Sequence, residues 1–224
     1  MVQLSFHRIV FSTLMKAASL FVTHQVALLP RKEKDPSVQL PVWKRGRQLL
    51  SCVASVLLHG TYVPPMIIFP RVRMKPSFMD RAPAGSLGVA AKTGWINEQL
   101  FTSWFDHFLK FTQSSANCST PTLRILDGHC SHVKNTSVIM KARESNVIIL
   151  SLPSHCTHKM QPLDISFFKS LSTRYNAVVQ TWHRQHPGRP VTEADFGELF
   201  SLAYGDASQE FIRTIAISSA MKTF

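Results

Sequence analysis

Residues 121–153 read PTLRILDGHCSHVKNTSVIMKARESNVIILSLP, and the fold class follows from how their apolar period changes. A short apolar run ends at Asp127, and apolar spacing of three or four residues then marks a helix from about 135 to 144. NVIILSLP, 146–153, is an unbroken apolar run and reads as a fully buried strand. Strand, helix and strand in this order imply two parallel strands joined by a right-handed crossover. Loops that follow parallel strands emerge at one edge of the sheet, where ligand sites of α/β proteins form.

Two phrases occupy those loops: LDGHCSH at 126–132 and SHCTHKMQPLD at 154–164. Their acids, Asp127 and Asp164, are separated by enough chain for one crossover helix, so the topology can bring them together. A carboxylate pair is a hard oxygen donor set that suits Mg²⁺ or Mn²⁺. Such ions activate an attacking hydroxyl and neutralise a leaving oxygen in phosphodiester chemistry. Acids are also ordinary at a strand end and at a helix start, so spacing alone leaves both readings open. Zinc held by His129, Cys130, His132, His155, Cys156 and His158 is a weaker reading, because the adjacent His129 and Cys130 are awkward ligands for one ion.

Outward from this unit, residues 47–70 give two apolar runs, 49–58 and 62–69, with His59-Gly60-Thr61 as hairpin punctuation. Pro64 and Pro65 lack the amide protons of a central ladder and predict an edge or a bulge. A basic loop spans 71–94. Leu100, Trp104, Phe108 and Phe111 then mark a helix capped by Asn97. A longer helix begins near Asp164, with Ile165, Phe168, Leu171, Tyr175, Val178 and Trp182 on one face, and HPGRP at 186–190 stops it. Thr192 and Asp195 have capping-box spacing for a last helix through Phe196, Leu199, Phe200 and Ala203. The expectation is an α/β fold, a mixed sheet with helices packed on it.

Charge points to a partner. Lys and Arg number 25 against 13 Asp and Glu, a net +12 that favours a polyanion such as nucleic acid. Lys44, Arg45 and Arg47, with Arg71, Arg73 and Lys75 from the basic loop, are the candidate phosphate contacts. The cysteines, Cys52, Cys118, Cys130 and Cys156, form no close-set framework, which fits a reducing compartment. No run is long enough to span a membrane. Residues 1–30 are apolar with Arg8 and Lys16 and no acid, as in transit peptides, but Lys16 interrupts the run and no small-residue cleavage site follows it.

LDGHCSH, NVIILSLP and SHCTHKMQPLDISFFKSL together resemble the DDE superfamily endonuclease domain of pogo, Tigger and jerky-like transposases. TYVPPMIIFPRVRMKP, GWINEQLFTSWFDHF and HPGRPVTEADFGELFSLAY are similar to further segments of it, in the same order. The resemblance implies an RNase H-like mixed sheet flanked by helices, with three acids that bind two divalent metals, Mg²⁺ or Mn²⁺, for DNA cleavage and transfer. It makes Asp127 the second acid and Asp164 the third, with Gly128, His129, His132, His155, Thr157, His158 and Gln161 around them. The first acid has no counterpart: residues 8–25, RIVFSTLMKAASLFVTHQ, contain no Asp or Glu, and Ser12 or Ala17 falls at its place.

Three segments are expected: a divergent 1–43 supplying an edge or a replacement first strand, with 5–14 the candidate, the transposase-derived domain at 44–205, and a divergent tail at 206–224. The domain reads as truncated, incomplete at both ends and without the helix-turn-helix region that normally precedes it. The function expected is a nuclear, DNA-binding protein impaired in catalysis. The alternatives are an active endonuclease in which Glu33, Asp35 or Asp106 supplies the third carboxylate, and a structural or interaction remnant.

Overall fold

The computed structural model describes residues 20–28, 50–57, 62–112, 122–126, 134–151 and 167–220, with backbone alone for 20–28, 50, 51, 56, 57, 125 and 214–220. Among the described residues, six strands form one sheet in the order β4-β3-β2-β1-β5-β6. They are β1 Leu20–Leu28, β2 Leu50–Leu57, β3 Tyr62–Phe69, β4 Leu87–Ala90, β5 Thr122–Leu126 and β6 Val147–Ser151. The first three are antiparallel neighbours, β4 runs parallel to β3, β5 parallel to β1, and β6 parallel to β5. The described residues also form four α-helices: α1 Glu98–Thr112, α2 Thr136–Glu144, α3 Phe168–Gln185 and α4 Glu193–Ala220. A mixed sheet flanked by helices is the α/β architecture expected from the sequence.

Burial on both faces explains why β2 and β3 are apolar almost without interruption. Val53, Met66, Ile68 and Leu126 face α1 and α2, together with Phe101, Trp104, Phe105 and Phe108. Cys52, Ala54, Ile67 and Phe69 face the opposite layer, made of Phe167, Phe168 and Leu171, then Phe196, Phe200, Tyr204 and Phe211. Burial pushes the Cys52 thiol well above its usual value, so it is an inert part of this core.

Local chemistry sets the helix starts. Asn97 Oδ1 accepts from the Leu100 amide at 2.9 Å and Asn135 Oδ1 from the Val138 amide at 3.1 Å. The Thr192 amide and hydroxyl both donate to Asp195 Oδ2, at 2.9 and 2.6 Å, closing the expected capping box. At the other end of the preceding turn, Gly188 takes φ +75°, which lets HPGRP end α3 and turn the chain back.

Of three expectations, one is met and two are revised. The prolines lie at a bulge: the β2–β3 register shifts between Val53 and Ser55, and β4 pairs with β3 only from Met66 onward, beyond both prolines. His107 satisfies the freed Pro64 carbonyl, donating from Nε2 at 2.9 Å. The basic loop contains a 3₁₀ turn, Pro76–Met79, as well as β4. The third concerns β6, which is an edge strand rather than a fully buried one; Ile148 and Leu150 are 43% and 37% exposed.

Two measurements test this packing. Helical Gly197 lies against the turn around Asp80, where the 3₁₀ segment Pro76–Met79 ends: an added Cβ would sit 2.2 Å from the Asp80 carbonyl oxygen, whereas at Gly205 nothing lies within 4 Å. Gly197→Ala is therefore expected to destabilise by about 1–3 kcal/mol through overpacking, and Gly205→Ala to stabilise by up to about 1 kcal/mol through helix propensity, both read by urea denaturation. Burial, and secondarily Lys110, lowers the His107 pKa despite the opposing Pro64 bond, so the unfolded chain takes up this proton first as pH falls. Stability from His107 is present above its unfolded pKa of about 6.5 and is lost as pH falls below it, so melting temperature should drop between about pH 7 and pH 5, less steeply in His107→Gln.

Candidate active site

The last pair in the β5–β6 ladder is Leu126 with Ser151, so the two parallel strands end level with each other. Asp127 follows Leu126 directly in sequence. Asp127, Gly128, His129, His132, His155, Thr157, His158, Gln161 and Asp164 lie outside the described residues, as do Lys44, Arg45 and Arg47. What the structure supplies is the scaffold on which those segments begin and end.

On the β5 side, α2 resumes the chain and is tightly placed. Buried Asn135 caps it while its Nδ2 donates to the Glu98 carbonyl and to Thr102 Oγ1, each at 3.0 Å, which ties α2 to α1. On the α3 side, fully buried Phe167 anchors the chain just after Asp164. Its ring lies 5.4 Å from that of Tyr62, 5.6 Å from Tyr204 and 5.8 Å from Phe211. Tyr62 pairs with Val56, Val56 with Val22, and Val22 with Ile125. Phe167 is thus fixed to the row of the sheet that ends, three strands across, two residues before Asp127.

Strand β1 borders this edge. It pairs with β2 from Phe21 to Leu28 but with β5 only through Leu20, Phe21 and Val22. Its sequence, LFVTHQVAL, has no carboxylate. Ser12 and Ala17, expected at the place of the first acid, precede this strand and lie outside the described residues, as do the 5–14 candidate strand, Glu33 and Asp35. Asp106 is described and is engaged elsewhere: on α1 it accepts from Lys141 Nζ of α2 at 2.5 Å. Both helices pack on the face of the sheet opposite α3. Among the described residues no group of three His, Cys, Asp or Glu side chains could hold a metal ion.

The basic loop divides into tethered and free cations. Arg71 donates to Glu193 through both Nε and Nη2, at 2.8 and 2.5 Å, and Arg81 pairs with Glu198 at 2.6 Å, which ties the loop to the start of α4. Arg73 and Lys75 are exposed and make no ion pair among the described residues.

One functional-looking side chain escaped sequence reasoning. Arg124, on β5 three residues before Asp127, is wholly buried, with its guanidinium carbon 3.9 Å from the Trp104 ring centre and 4.1 Å from that of Phe108. Nη1 reaches Ser55 Oγ at 3.5 Å, while Nε and Nη2 have no hydrogen-bond partner among the described residues, and burial drives its pKa well below the usual value. The signal was a lone cation in an apolar strand, in phase with Leu126 toward the aromatic stripe of α1.

A family model described as "DDE superfamily endonuclease" matches residues 48–212. Among curated proteins, "Pogo transposable element with KRAB domain" from Homo sapiens is 26% identical over 72% of this chain and 25% of its own length. "MFS-type transporter clz9" from Cochliobolus lunatus is 25% identical over 82% of this chain and 20% of its own length. The chain thus spans about a quarter or less of the curated relatives it matches. No described helix is long and apolar enough to cross a membrane. Among solved structures, the Mos1 transposase catalytic domain with raltegravir and Mg has a TM-score of 0.49 and 9% identity over 93% of this chain and 90% of that chain. The Mos1 paired-end complex with left transposon end has a TM-score of 0.45 and 10% identity, over 93% of this chain and 59% of that chain.

Magnitudes predict what Arg124 does to stability. Two stacked rings return up to about 2 kcal/mol each to a desolvated cation, against several kcal/mol for burying the charge and about 1–3 kcal/mol for each polar group left unmet. Arg124→Met, which keeps the volume and removes the charge, is expected to raise stability by about 1 kcal/mol or more. Arg124→Ala should lower it by about 2–5 kcal/mol through the cavity left between Trp104 and Phe108, both in urea denaturation.

Proposed function

Because the chain belongs to the DDE superfamily endonuclease family, we propose that it is a transposase-derived DNA-binding domain, acting in the nucleus, with impaired strand cleavage. The observation that carries this reading is the composition of β1: the strand beside β5 at the site edge has no carboxylate. Asp127 and Asp164 supply oxygen donors for one Mg²⁺ or Mn²⁺. A pair of dications beside phosphate needs the charge of a third acid, and neither β1 nor Asp106 provides it, which supports a weakened metal site. One bound ion would supply Lewis-acid charge at a phosphodiester oxygen.

DNA recognition does not need that chemistry. The net charge of +12 and the free Arg73 and Lys75 favour the phosphate backbone, whose binding depends on counterion release. Arg71 and Arg81, neutralised by Glu193 and Glu198, hold the loop that presents the free cations.

Filter binding of the chain to duplex DNA at several salt concentrations tests the reading. Affinity should fall linearly on a log–log plot, with a slope reduced by about one in Arg73→Ala and in Lys75→Ala, and unchanged affinity across salt would sink it. Supercoiled plasmid incubated with the chain and Mg²⁺ should remain un-nicked; nicking that disappears in Asp127→Ala would establish the active-endonuclease alternative instead.

A further inference from the structure

We propose that the carboxyl ends of β3 and β4 carry a surface for single-stranded DNA, on which Trp95 stacks an unpaired base among cations that hold the backbone. The inference rests on the DNA-binding reading above and adds the form of the DNA and an aromatic contact.

The sheet brings two loops together at this end. β3 and β4 are parallel and stay paired to their last residues, Phe69 with Ala90. The Phe69 carbonyl oxygen accepts from the Arg71 amide at 2.8 Å and from the Ala91 amide at 2.9 Å, so the roots of both loops share one acceptor. Val72, Arg73 and Lys75 lie within four residues of the first amide, and Lys92 and Trp95 within four of the second. Four residues of chain reach at most about 14 Å, which keeps the whole cluster within the span of a few nucleotides. Phe78 then carries the first loop into the α4 layer and Ile96 carries the second into the α1 layer, so the cluster straddles the end of the sheet.

Side-chain chemistry gives the occupant. Residues 70–97 hold five Lys and Arg against one acid, Asp80. Arg71 and Arg81 are tied to α4, whereas Arg73, Lys75 and Lys92 are exposed and make no ion pair among the described residues. Trp95 is 48% exposed and Val72 is 72% exposed, while Trp104 on α1 is wholly buried. A tight turn holds Trp95 in place: the Gly94 amide donates to the Ala91 carbonyl at 2.9 Å with φ +70° at Gly94, and the Trp95 amide donates to Thr93 Oγ1 at 3.3 Å. Free cations bind phosphate on any nucleic acid, but an exposed ring gains only from a base whose face is open, as in a single strand.

Fluorescence anisotropy of the intact chain with a labelled single-stranded oligodeoxynucleotide and with the matching duplex, each at several salt concentrations, tests this. Trp95→Ala is expected to weaken single-strand binding about tenfold with its salt slope unchanged, and to alter duplex binding by less than about twofold. Lys92→Ala should instead lower the single-strand slope by about 0.7, and Trp95→Phe should restore most of the affinity that Trp95→Ala loses. Trp95→Leu, checked with the others by circular dichroism melting, keeps apolar bulk without the ring and serves if Trp95→Ala unfolds. Parent-like single-strand affinity in both Trp95→Ala and Trp95→Leu, or equal losses on single strand and duplex, would overturn the stacking role and leave the DNA-binding reading standing. Absence of salt-dependent binding to either form would overturn that reading and this inference with it.

Discussion

Strand β1 is bonded on both sides in different ways, and the layout of the rest depends on that asymmetry. Toward β2 it forms an antiparallel ladder from Phe21 to Leu28; toward β5 it forms a parallel ladder of three residues, Leu20 to Val22. The described carboxyl end of β5 therefore lies level with the middle of β1. Register is strict where both faces are buried, because a one-residue slip would exchange the two sets of side chains.

Aromatic packing holds the helices to this frame on both faces. Phe101, Trp104, Phe105 and Phe108 form the inner face of α1, while Phe167 meets Tyr62, Tyr204 and Phe211 on the other side. Rings of this size dominate burial, and their offset and edge-to-face pairings contribute about 0.5–1.5 kcal/mol each beyond area. Arg124 is the exception inside the frame, a cation held by Trp104 and Phe108 rather than by a carboxylate. It lies on the face of β5 opposite the α3 layer, so its charge belongs to the packing of α1 and not to the site edge.

The elements legible in the sequence are those specified by local chemistry. Period switching located β5, α2 and β6, and Asn97, Asn135 and Thr192 with Asp195 fixed three helix starts. The elements that were missed are specified by neighbours instead. LGVA of β4 is four residues with no alternation, ordered by the exposed edge of β3. β1 lies in an N-terminal region that is apolar throughout, where no local signal separates 20–28 from 5–14. The same limit applied to the site. Asp127 and Asp164 were marked by strand ends and motif, but the level of β1 against β5 is a tertiary quantity. Pairing hid the roles of the loop cations in the same way: Arg71 and Arg73 look alike in sequence, and only the placement of Glu193 separates tether from free charge.

Loss of a carboxylate at such an edge acts on binding and cleavage in opposite directions. Three clustered acids repel phosphate unless metal ions neutralise them, so an active site of this type binds DNA at its centre only as well as it binds its metals. Replacing one acid by a neutral residue removes a full negative charge from the place where the backbone would pass. Every surrounding Lys and Arg contact then contributes without that opposition, and less metal is needed for the same affinity. For a chain with a net charge of +12 and no acid on β1, the proposed DNA binding and weakened cleavage would thus be two consequences of one difference.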